Sequence, residues 1–568
     1  MLKLSIRKIG VIGRTYRHLD RYQHILRILF KYGFQDFVEL LRIEQYIEIG
    51  LQLISRKSRE QIEKFTRVER VRMALEELGP TFIKLGQLLA TRPDLVPLEY
   101  VQELSKLQDE VPPFPYKEVR EVVKAETGKF PEDLFQSFTK ASLAAGSIGQ
   151  VHRALLKNDE EVVVKVQRPG IRETIEVDIE IMLHLASLME NHLEAVEVLQ
   201  PIRIVEEFAR TIEKEIDYLA EASHIDRFAG LFLTDKTIYV PKVFHELTTE
   251  RILTMEYIDG IKASDLDRLL DQEDYDPRLL AERGALLIFK QIFVHGFFHA
   301  DPHPGNIFFL PNNIVCYLDF GMMGRISNKD QEDFTDLIVA VVQRDERKAG
   351  NALLKITNYP KEPDRRALDR DLADFMDRHL YQSLQQLEVG KLLQHLLEIV
   401  SRYGLQLKPE FFLLIKALNS VESVGLMLDP EFEIVKYAEP FIRRVQSNRL
   451  SPKRLAGDAL EAGAEFLDLL KETPGEVRAI LKQAREGKIK IEFEHKGLEQ
   501  MFFIHDRISN RIAFAIVLAS LIVASSLIVL ADIPPKWHEI PIIGLTGFVV
   551  AAFMGFWLLI SILRHGKM

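Results

Sequence analysis

His299-Ala300-Asp301-Pro302-His303-Pro304-Gly305-Asn306, followed by two short apolar runs and then Asp319-Phe320-Gly321, is the stretch on which the fold of this chain turns. The runs, Ile307 to Leu310 and Ile314 to Leu318, read as a strand pair. They place an Asp with an Asn five residues later at one end and a second Asp at the other. Upstream, Ala144-Ala145-Gly146-Ser147-Ile148-Gly149-Gln150 is a loop of small residues between β-rich runs, where backbone can approach a ligand closely. Beyond it Val162-Val163-Val164-Lys165-Val166 carries a lysine in a buried valine run, which is costly unless the ammonium meets an anion.

A small-residue loop, a strand lysine, Asp followed by Asn, and Asp-Phe-Gly occur in the order of a protein-kinase-type phosphoryl-transfer site. In that reading Ala144 to Gln150 and Lys165 contact nucleotide phosphates. Asn306 and Asp319 supply oxygen ligands to Mg²⁺, which prefers carboxylates and carbonyls. Asp301 orients or deprotonates the attacking hydroxyl or water. The polar turn Glu256-Tyr257-Ile258-Asp259-Gly260 is a candidate hinge, with Glu256 and Ile258 as nucleotide contacts. A rival reading makes His299, Asp301 and His303 a transition-metal site. It explains neither Lys165 nor Asp319. For His299 an imidazole bracing its loop by hydrogen bonds is the simpler expectation, and for Cys316 a small buried strand residue.

Helical spacing covers about 34 to 110, interrupted at Gly79-Pro80, with Lys84 and Gln87 embedded in an apolar stripe from Thr81 to Leu89. Helices are also expected at 172–193, 202–229 and 278–295, and throughout 330–435. Strands fit Ile238 to Phe244 and Arg251 to Met255. Residues 447–485 read as a charged helix, and Lys488 to His495 as a lone strand. The expected divisions are a basic amphipathic helical region over 1–70, a helical extension over 71–135, a two-lobed domain over 136–445 with its small lobe at 136–260, a charged linker over 446–510, and a transmembrane hairpin over 511–564.

With 568 residues, 65.5 kDa, 47% hydrophobic and 28% charged residues, the chain is too long for one core and too apolar to be disordered. A single cysteine excludes an internal disulfide, and a net charge of −10 offers no global attraction to nucleic acid. Mean hydropathy is near zero because apolar residues concentrate at 512–531 and 540–563, each free of charge and long enough to cross a bilayer. Arg507, Arg511, Arg564 and Lys567 flank the spans, which puts both ends and the preceding chain in the cytoplasm. Gly544, Gly547 and Gly555 on one span, and Ser520, Ala524 and Ser525 on the other, mark a close helix contact within the hairpin and a candidate homodimer contact. Residues 1–31 carry eight Lys/Arg against one acid, which reads as a basic helix on anionic lipid or a solvated helix face.

Several of these stretches together resemble the UbiB family of atypical kinase-like proteins, associated with ubiquinone biosynthesis: Lys84-Leu85-Gly86-Gln87, the loop 144–152, Lys165 with Gln167-Arg168-Pro169-Gly170, Glu215-Ile216-Asp217-Tyr218 with Glu221-Ala222, His299 to Asn306, and Asp319-Phe320-Gly321. The tail hairpin is similar to that of the bacterial members. The resemblance implies an α+β, two-lobed kinase-like fold, ATP (or ADP) and Mg²⁺ as cofactors, ATPase activity, and support of polyprenyl-quinone synthesis at the bacterial inner membrane. It implies membrane lipids, and quinone precursors or the enzymes that process them, as partners. By the family's pattern Glu215 and Asp217 meet Lys84, and Glu221 meets Lys165. In a regular helix Glu215 lies about 200° from Asp217, so both acids reach Lys84 only if the helix is distorted. His-Ala-Asp replaces the His-Arg-Asp of ordinary protein kinases, and no Ala-Pro-Glu follows Asp319 before the next helix. Gly146 stands where the family more usually has alanine, which brings the loop nearer a conventional Gly-rich one.

Overall fold

The computed structural model describes residues 19–40, 64–90, 92, 95–107, 111–192, 200–359, 361–380, 389–449, 485, 498–531, 533–537 and 540–565. The chain divides into two units, 1–456 and 457–568. Most of the helix expected over 447–485, and all of the strand expected over Lys488 to His495, lie outside the described residues.

The first unit begins with helices that share one core. In α1 (Leu19–Lys31) the apolar stripe Tyr22, Ile25, Leu26, Phe30 is buried. It packs with α2 (Arg67–Leu78) and α3 (Pro80–Ala90). The apolar face of this basic helix is therefore filled by the protein itself, which corrects the lipid-facing expectation for 19–31; residues 1–18 lie outside the described residues. Arg21 reaches Asp178 through two bonds of 2.7 and 2.9 Å, so its charge also points inward. A capping box of Thr66 and Glu69 starts α2. Gly79, at φ +99°, ends it, and Pro80 opens α3, because proline at a first helical position sacrifices no hydrogen bond.

In the small lobe, α4 (Tyr116–Thr127) covers an antiparallel sheet of order β1 (Ser137–Phe138), β3 (Gly149–Leu155), β4 (Glu161–Gln167), β6 (Ile252–Glu256), with β2 (Ala144–Ala145) also on β3. The period-2 pleat sorts β4: Val162, Val164 and Val166 pack under α4, while Val163, Lys165 and Gln167 face the other way. Helices α5 (Ile171–His192), α6 (Pro201–Glu215) and α7 (Tyr218–Leu231) follow. The single helix expected over 202–229 is thus broken. Asp217 leaves helical geometry and accepts the N–H groups of Leu219 and Ala220 as the N-cap of α7, and Gln167 donates to the Ile216 carbonyl at 2.8 Å.

The strand expected over Ile238 to Phe244 also divides. Only β5 (Ile238–Tyr239) pairs with the large-lobe sheet, while Val243 bridges to Met255 in the small lobe. Pro241, between them, has no N–H for a ladder. The large-lobe sheet runs β5, β10 (Ile314–Tyr317), β9 (Ile307–Leu310), β7 (Ile261–Lys262), with β10 parallel to β5. Cys316 is a fully buried strand residue. The helices are α8 (Pro277–Lys290), α9 (Asn328–Val342), α10 (Glu346–Lys355), α11 (Arg365–Leu380), α12 (Val389–Arg402), α13 (Pro409–Leu428) and α14 (Ile434–Arg449). Helix α13 is long and apolar enough to span a membrane, yet 61% of that window is buried within the fold, as befits a core helix.

In the second unit, α15 (Leu498–Leu530) and α16 (Ile542–His565) contain apolar windows at Ser509–Leu530 and Ile542–Leu559, with 6% and 11% buried. They run antiparallel: Gly544 packs on Val529, Gly547 on Ser525, Gly555 on Leu518, and Phe514 meets Trp557 at 5.9 Å between centroids. Gly544 and Gly547 sit where side chains from the partner helix occupy the space of a Cβ, while Gly555 makes ordinary contact with Leu518.

Candidate active site

Strand β4 aims Lys165 at α7, where Glu221 accepts two bonds of 3.0 and 2.9 Å from the ammonium. Asp319 Oδ2 lies 3.5 Å from the same nitrogen. Burial disfavours the Lys165 ammonium, but the Asp319 and Glu221 carboxylates outweigh it and hold the group well above the ordinary lysine value. Burial pushes the Glu221 carboxyl up, while the Lys165 charge opposes that rise. The Glu221 side chain is only 2% exposed, so the pair exists as a unit or not at all. Glu221 Oε1 also accepts the Phe320 N–H at 3.3 Å. Three residues on, His224 Nδ1 donates to the Phe320 carbonyl at 3.0 Å. One face of α7 thus clamps both sides of a backbone residue in Asp-Phe-Gly. Sequence reasoning missed His224, although its i+3 spacing from Glu221 placed it on that face.

The loop at 299–306 is built on a π-type turn, Gln291–His295, closed by Gly296 at φ +60°. Strand β8 (Phe297–His299) pairs with β11 (Met323–Arg325), bringing His299 opposite Met323. Buried Gln291 accepts the His299 N–H at 2.8 Å. His299 Nδ1 accepts the Asp301 N–H at 3.1 Å, so the ring proton sits on Nε2 and is donated to the Asp319 carbonyl. Burial lowers the His299 pKa, which keeps this neutral tautomer in place. With both nitrogens spent on the backbone, His299 braces the two loops and has no lone pair for a metal. His303 Nδ1 likewise accepts the Gly305 N–H at 3.1 Å. The donor set of the transition-metal reading is therefore not available.

Asp301 Oδ2 meets Lys416 of α13 at 3.0 Å, a partner no local motif announced. Asp319 Oδ1 accepts the Gly321 N–H at 2.9 Å, and 42% of the side chain stays open. Burial works against its charge, but the Lys165 ammonium and the Gly321 N–H overcome it and push the carboxyl down to about 2. An ionised, accessible carboxylate and the Asn306 amide oxygen are the hard donors that suit Mg²⁺.

In the small-residue loop, the Gly146 N–H closes onto the Gly149 carbonyl at 2.8 Å. Ser147 is buried, and among the described residues its hydroxyl has no hydrogen-bond partner. A Cβ at Gly149 would lie 2.5 Å from the Tyr218 hydroxyl and 2.6 Å from the Val166 carbonyl. Two loop residues depart from the expected nucleotide role. The Gln150 amide turns away and binds Phe114 on both sides, accepting its N–H at 2.9 Å and donating to its carbonyl at 3.3 Å. Ile148 is buried in the core shared by α1, α2, α3, α5 and α6. Within β3 the period-2 pleat turns Gln150 and Ala154 to the Phe114 side, whereas Ile148 precedes the strand and enters the other core. In the hinge, the Glu256 carboxylate accepts from Tyr239 Oη at 2.8 and 2.9 Å and from the Lys242 N–H at 3.1 Å, and Ile258 is buried. The Glu256 side chain thus ties β6 of the small lobe to Tyr239 on β5, which pairs with the large-lobe sheet.

In the extension, Lys84 pairs with Glu215 at the end of α6. Gln87 donates to the Leu107 carbonyl at 3.3 Å, and Gly86 packs against Leu75 and Leu107, so these two residues shape the extension. Arg92, just beyond α3, pairs with Glu207 at 2.5 Å and stacks 4.5 Å over the Phe412 ring of α13.

Known proteins are similar to this chain over most of its length. Residues 106–353 match the ABC1 atypical kinase-like domain, 372–433 the UbiB helical domain, and 496–564 the ABC1/UbiB kinase-like C-terminal domain. A chain named probable protein kinase UbiB from Shewanella piezotolerans is 30% identical over 544 residues, covering 94% of this chain and 97% of that one. One of the same name from Xylella fastidiosa is 32% identical over 516 residues, covering 90% and 93%. An uncharacterized protein from the hydrogenase 1 5′ region of Clostridium pasteurianum is 36% identical over 500 residues, covering 88% and 94%. Among solved structures, the Rv3197–erythromycin complex from Mycobacterium tuberculosis is similar at a TM-score of 0.46 and 24% identity, covering 68% of this chain and 97% of that one. With three consecutive domain matches and relatives aligned along nearly their whole length, the chain belongs to the UbiB family of atypical kinase-like proteins.

Proposed function

We propose that this chain is a membrane-anchored, Mg²⁺-dependent ATPase of the kinase-like class that supports ubiquinone or related polyprenyl-quinone biosynthesis. The observation that carries the catalytic part is the charge cluster in which Lys165 is held 2.9 Å from Glu221 and 3.5 Å from Asp319. Phosphoryl transfer needs little beyond positioning and charge neutralisation, and this cluster supplies both. Lys165 would bind nucleotide phosphates. Asn306 and Asp319 would hold Mg²⁺, which when bound neutralises phosphate charge. Asp301 would receive the proton of the attacking water or hydroxyl. Between Gly321 and α9, which starts at Asn328, part of the intervening chain is tied up in the β8–β11 pair. That leaves little chain for a peptide-docking segment and favours water or a small membrane-dissolved acceptor.

The quinone role is carried from the family and from the relatives' name. Membrane anchoring rests on the two apolar windows of the second unit, whose exposed faces present Phe553, Phe556 and Trp557. The test is Mg²⁺-dependent ATP turnover of the full chain in detergent or anionic nanodiscs, against Asp319→Asn. We expect turnover in the wild type and none above background in the variant. Equal turnover in both would sink the mechanism.

A further inference from the structure

The loop that carries Asp301 brings no cation of its own. Between Asp301 and Asn306 stand Pro302, His303, Pro304 and Gly305, and the His303 ring is folded back onto the Gly305 N–H. Yet Asp301 has a cation beside it. Lys416 Nζ lies 3.0 Å from Asp301 Oδ2 and 3.7 Å from Met322 Sδ, the residue after Asp-Phe-Gly. This lysine comes from α13, more than a hundred residues downstream, in the segment that matches the UbiB helical domain rather than the kinase-like one.

A lysine on a core helix ordinarily reaches outward to water. Leu414 and Ala417, its neighbours on α13, are fully buried, and the Lys416 side chain itself is 27% exposed. Instead of leaving for bulk solvent, its ammonium joins the two loops that carry Asp301 and Asp319. Its position is fixed from outside the loop. One turn earlier on α13, Phe412 holds the Arg92 guanidinium 4.5 Å over its ring, and Arg92 is tied to Glu207 of α6. The α13 register, and with it the reach of Lys416, is pinned by the extension.

We propose that Lys416 is a positioning residue for phosphoryl transfer, supplied to the Asp301 loop by the helical domain. This rests on the ATPase reading above. In the step itself, the attacking water oxygen forms a bond to the γ-phosphorus, its proton passes to Asp301, and the bond to the β–γ bridging oxygen breaks as ADP leaves. Lys416 holds the Asp301 carboxylate in one orientation and sets a positive charge next to the phosphoryl group in flight. Such a group acts where charge develops, so it changes turnover more than ground-state nucleotide binding. The helical domain thereby completes the site as well as supporting the lobe.

The test compares wild type, Lys416→Met, Lys416→Arg, Lys408→Met and Asp319→Asn in full-length protein in detergent. Each is measured for Mg²⁺-ATP kcat and KM, for binding of a fluorescent ATP analogue and for thermal midpoint. Lys408 opens the same helix and faces Asp330, which makes it the control for loss of a lysine from α13. We expect Lys416→Met to lower kcat on the order of 10²-fold with KM and analogue binding within about threefold of wild type. Lys416→Arg should recover most of that loss, and Lys408→Met should match wild type. A Lys416→Met kcat within about threefold of wild type, with Asp319→Asn inactive, overturns this inference and leaves the ATPase reading intact. Equal loss in Lys416→Met and Lys416→Arg together with a lowered thermal midpoint assigns the lysine to packing and also overturns it. A wild type that neither binds the analogue nor turns over ATP removes the reading and this inference with it.

Discussion

Replacing Glu221 with glutamine keeps the side chain's size and removes one charge from a position that is 2% exposed. Lys165, 2.9 Å away, then loses its nearest anion. At an effective dielectric near 20, an ion pair at such a distance has a gross attraction of ~6 kcal/mol. Desolvation of the carboxylate offsets part of this, and removing one partner of a buried pair typically destabilises by about 3–5 kcal/mol. Asp319 still faces the ammonium at 3.5 Å, which brings the expected loss to the lower end, about 3 kcal/mol. In turnover the same energy is about two powers of ten. The assay is urea unfolding of the full chain in detergent, followed by steady-state Mg²⁺-ATP kinetics. Glu215→Gln is the companion variant: its pair with Lys84 is more open, with side chains 25% and 14% exposed, and we expect a loss under ~1 kcal/mol. Wild-type unfolding midpoint and kcat/KM in Glu221→Gln would refute the reasoning that Lys165 is held in place by this acid.

Gly149→Ala should destabilise by about 1–3 kcal/mol and weaken analogue binding, because its methyl would press on the Tyr218 hydroxyl and the Val166 carbonyl; thermal unfolding and a binding titration check this. Asp319 has its carboxyl pushed down to about 2 from the ordinary 3.8, so its stabilising contribution is complete above that ordinary value and is lost as pH falls through the window toward 2. Asp319→Asn should flatten the acid limb of the unfolding midpoint there, and an unchanged limb would contradict the charge cluster. In the hairpin, Gly547→Leu collides with Ser525 and should separate α15 from α16, seen as faster proteolysis in detergent; Phe553→Leu, on the exposed face of α16, is the comparison.

Much of the site was readable because phosphoryl-transfer chemistry depends on short local stretches whose order along the chain is fixed. Lys165 in a valine run, the Asp301–Asn306 spacing and Asp319 after a strand pair are all local patterns, and the structure brings them together. What escaped depended on contacts between distant segments. Lys416 looks like one polar residue in an apolar helix until the fold carries it to Asp301. The break before α7 arises because Asp217 gains more as a cap than as a helical residue, and because Gln167 waits at the other side to take the Ile216 carbonyl. The charge count of residues 1–31 reads as a surface helix, but Asp178, fully buried on α5, pairs with Arg21 and helps fix the apolar face of α1 against the protein. No period in the sequence records where such a distant acid lies.

Ile148 has a kinetic consequence. A glycine-rich loop that hangs free over its ligand can open in nanoseconds to microseconds by local backbone motion. Here the loop's tip is a core residue, shared with α1, α3, α5 and α6, so lifting it means exposing part of that core to water. Release of a bound nucleotide would then wait on a sub-global opening of the helical extension, with a free-energy requirement like that of a cooperative folding unit. Under the proposed nucleotide-binding reading, residence time would be a property of helices far from the phosphates. Any ligand or surface that loosens α1 or α3 would act as an exchange factor without touching the nucleotide.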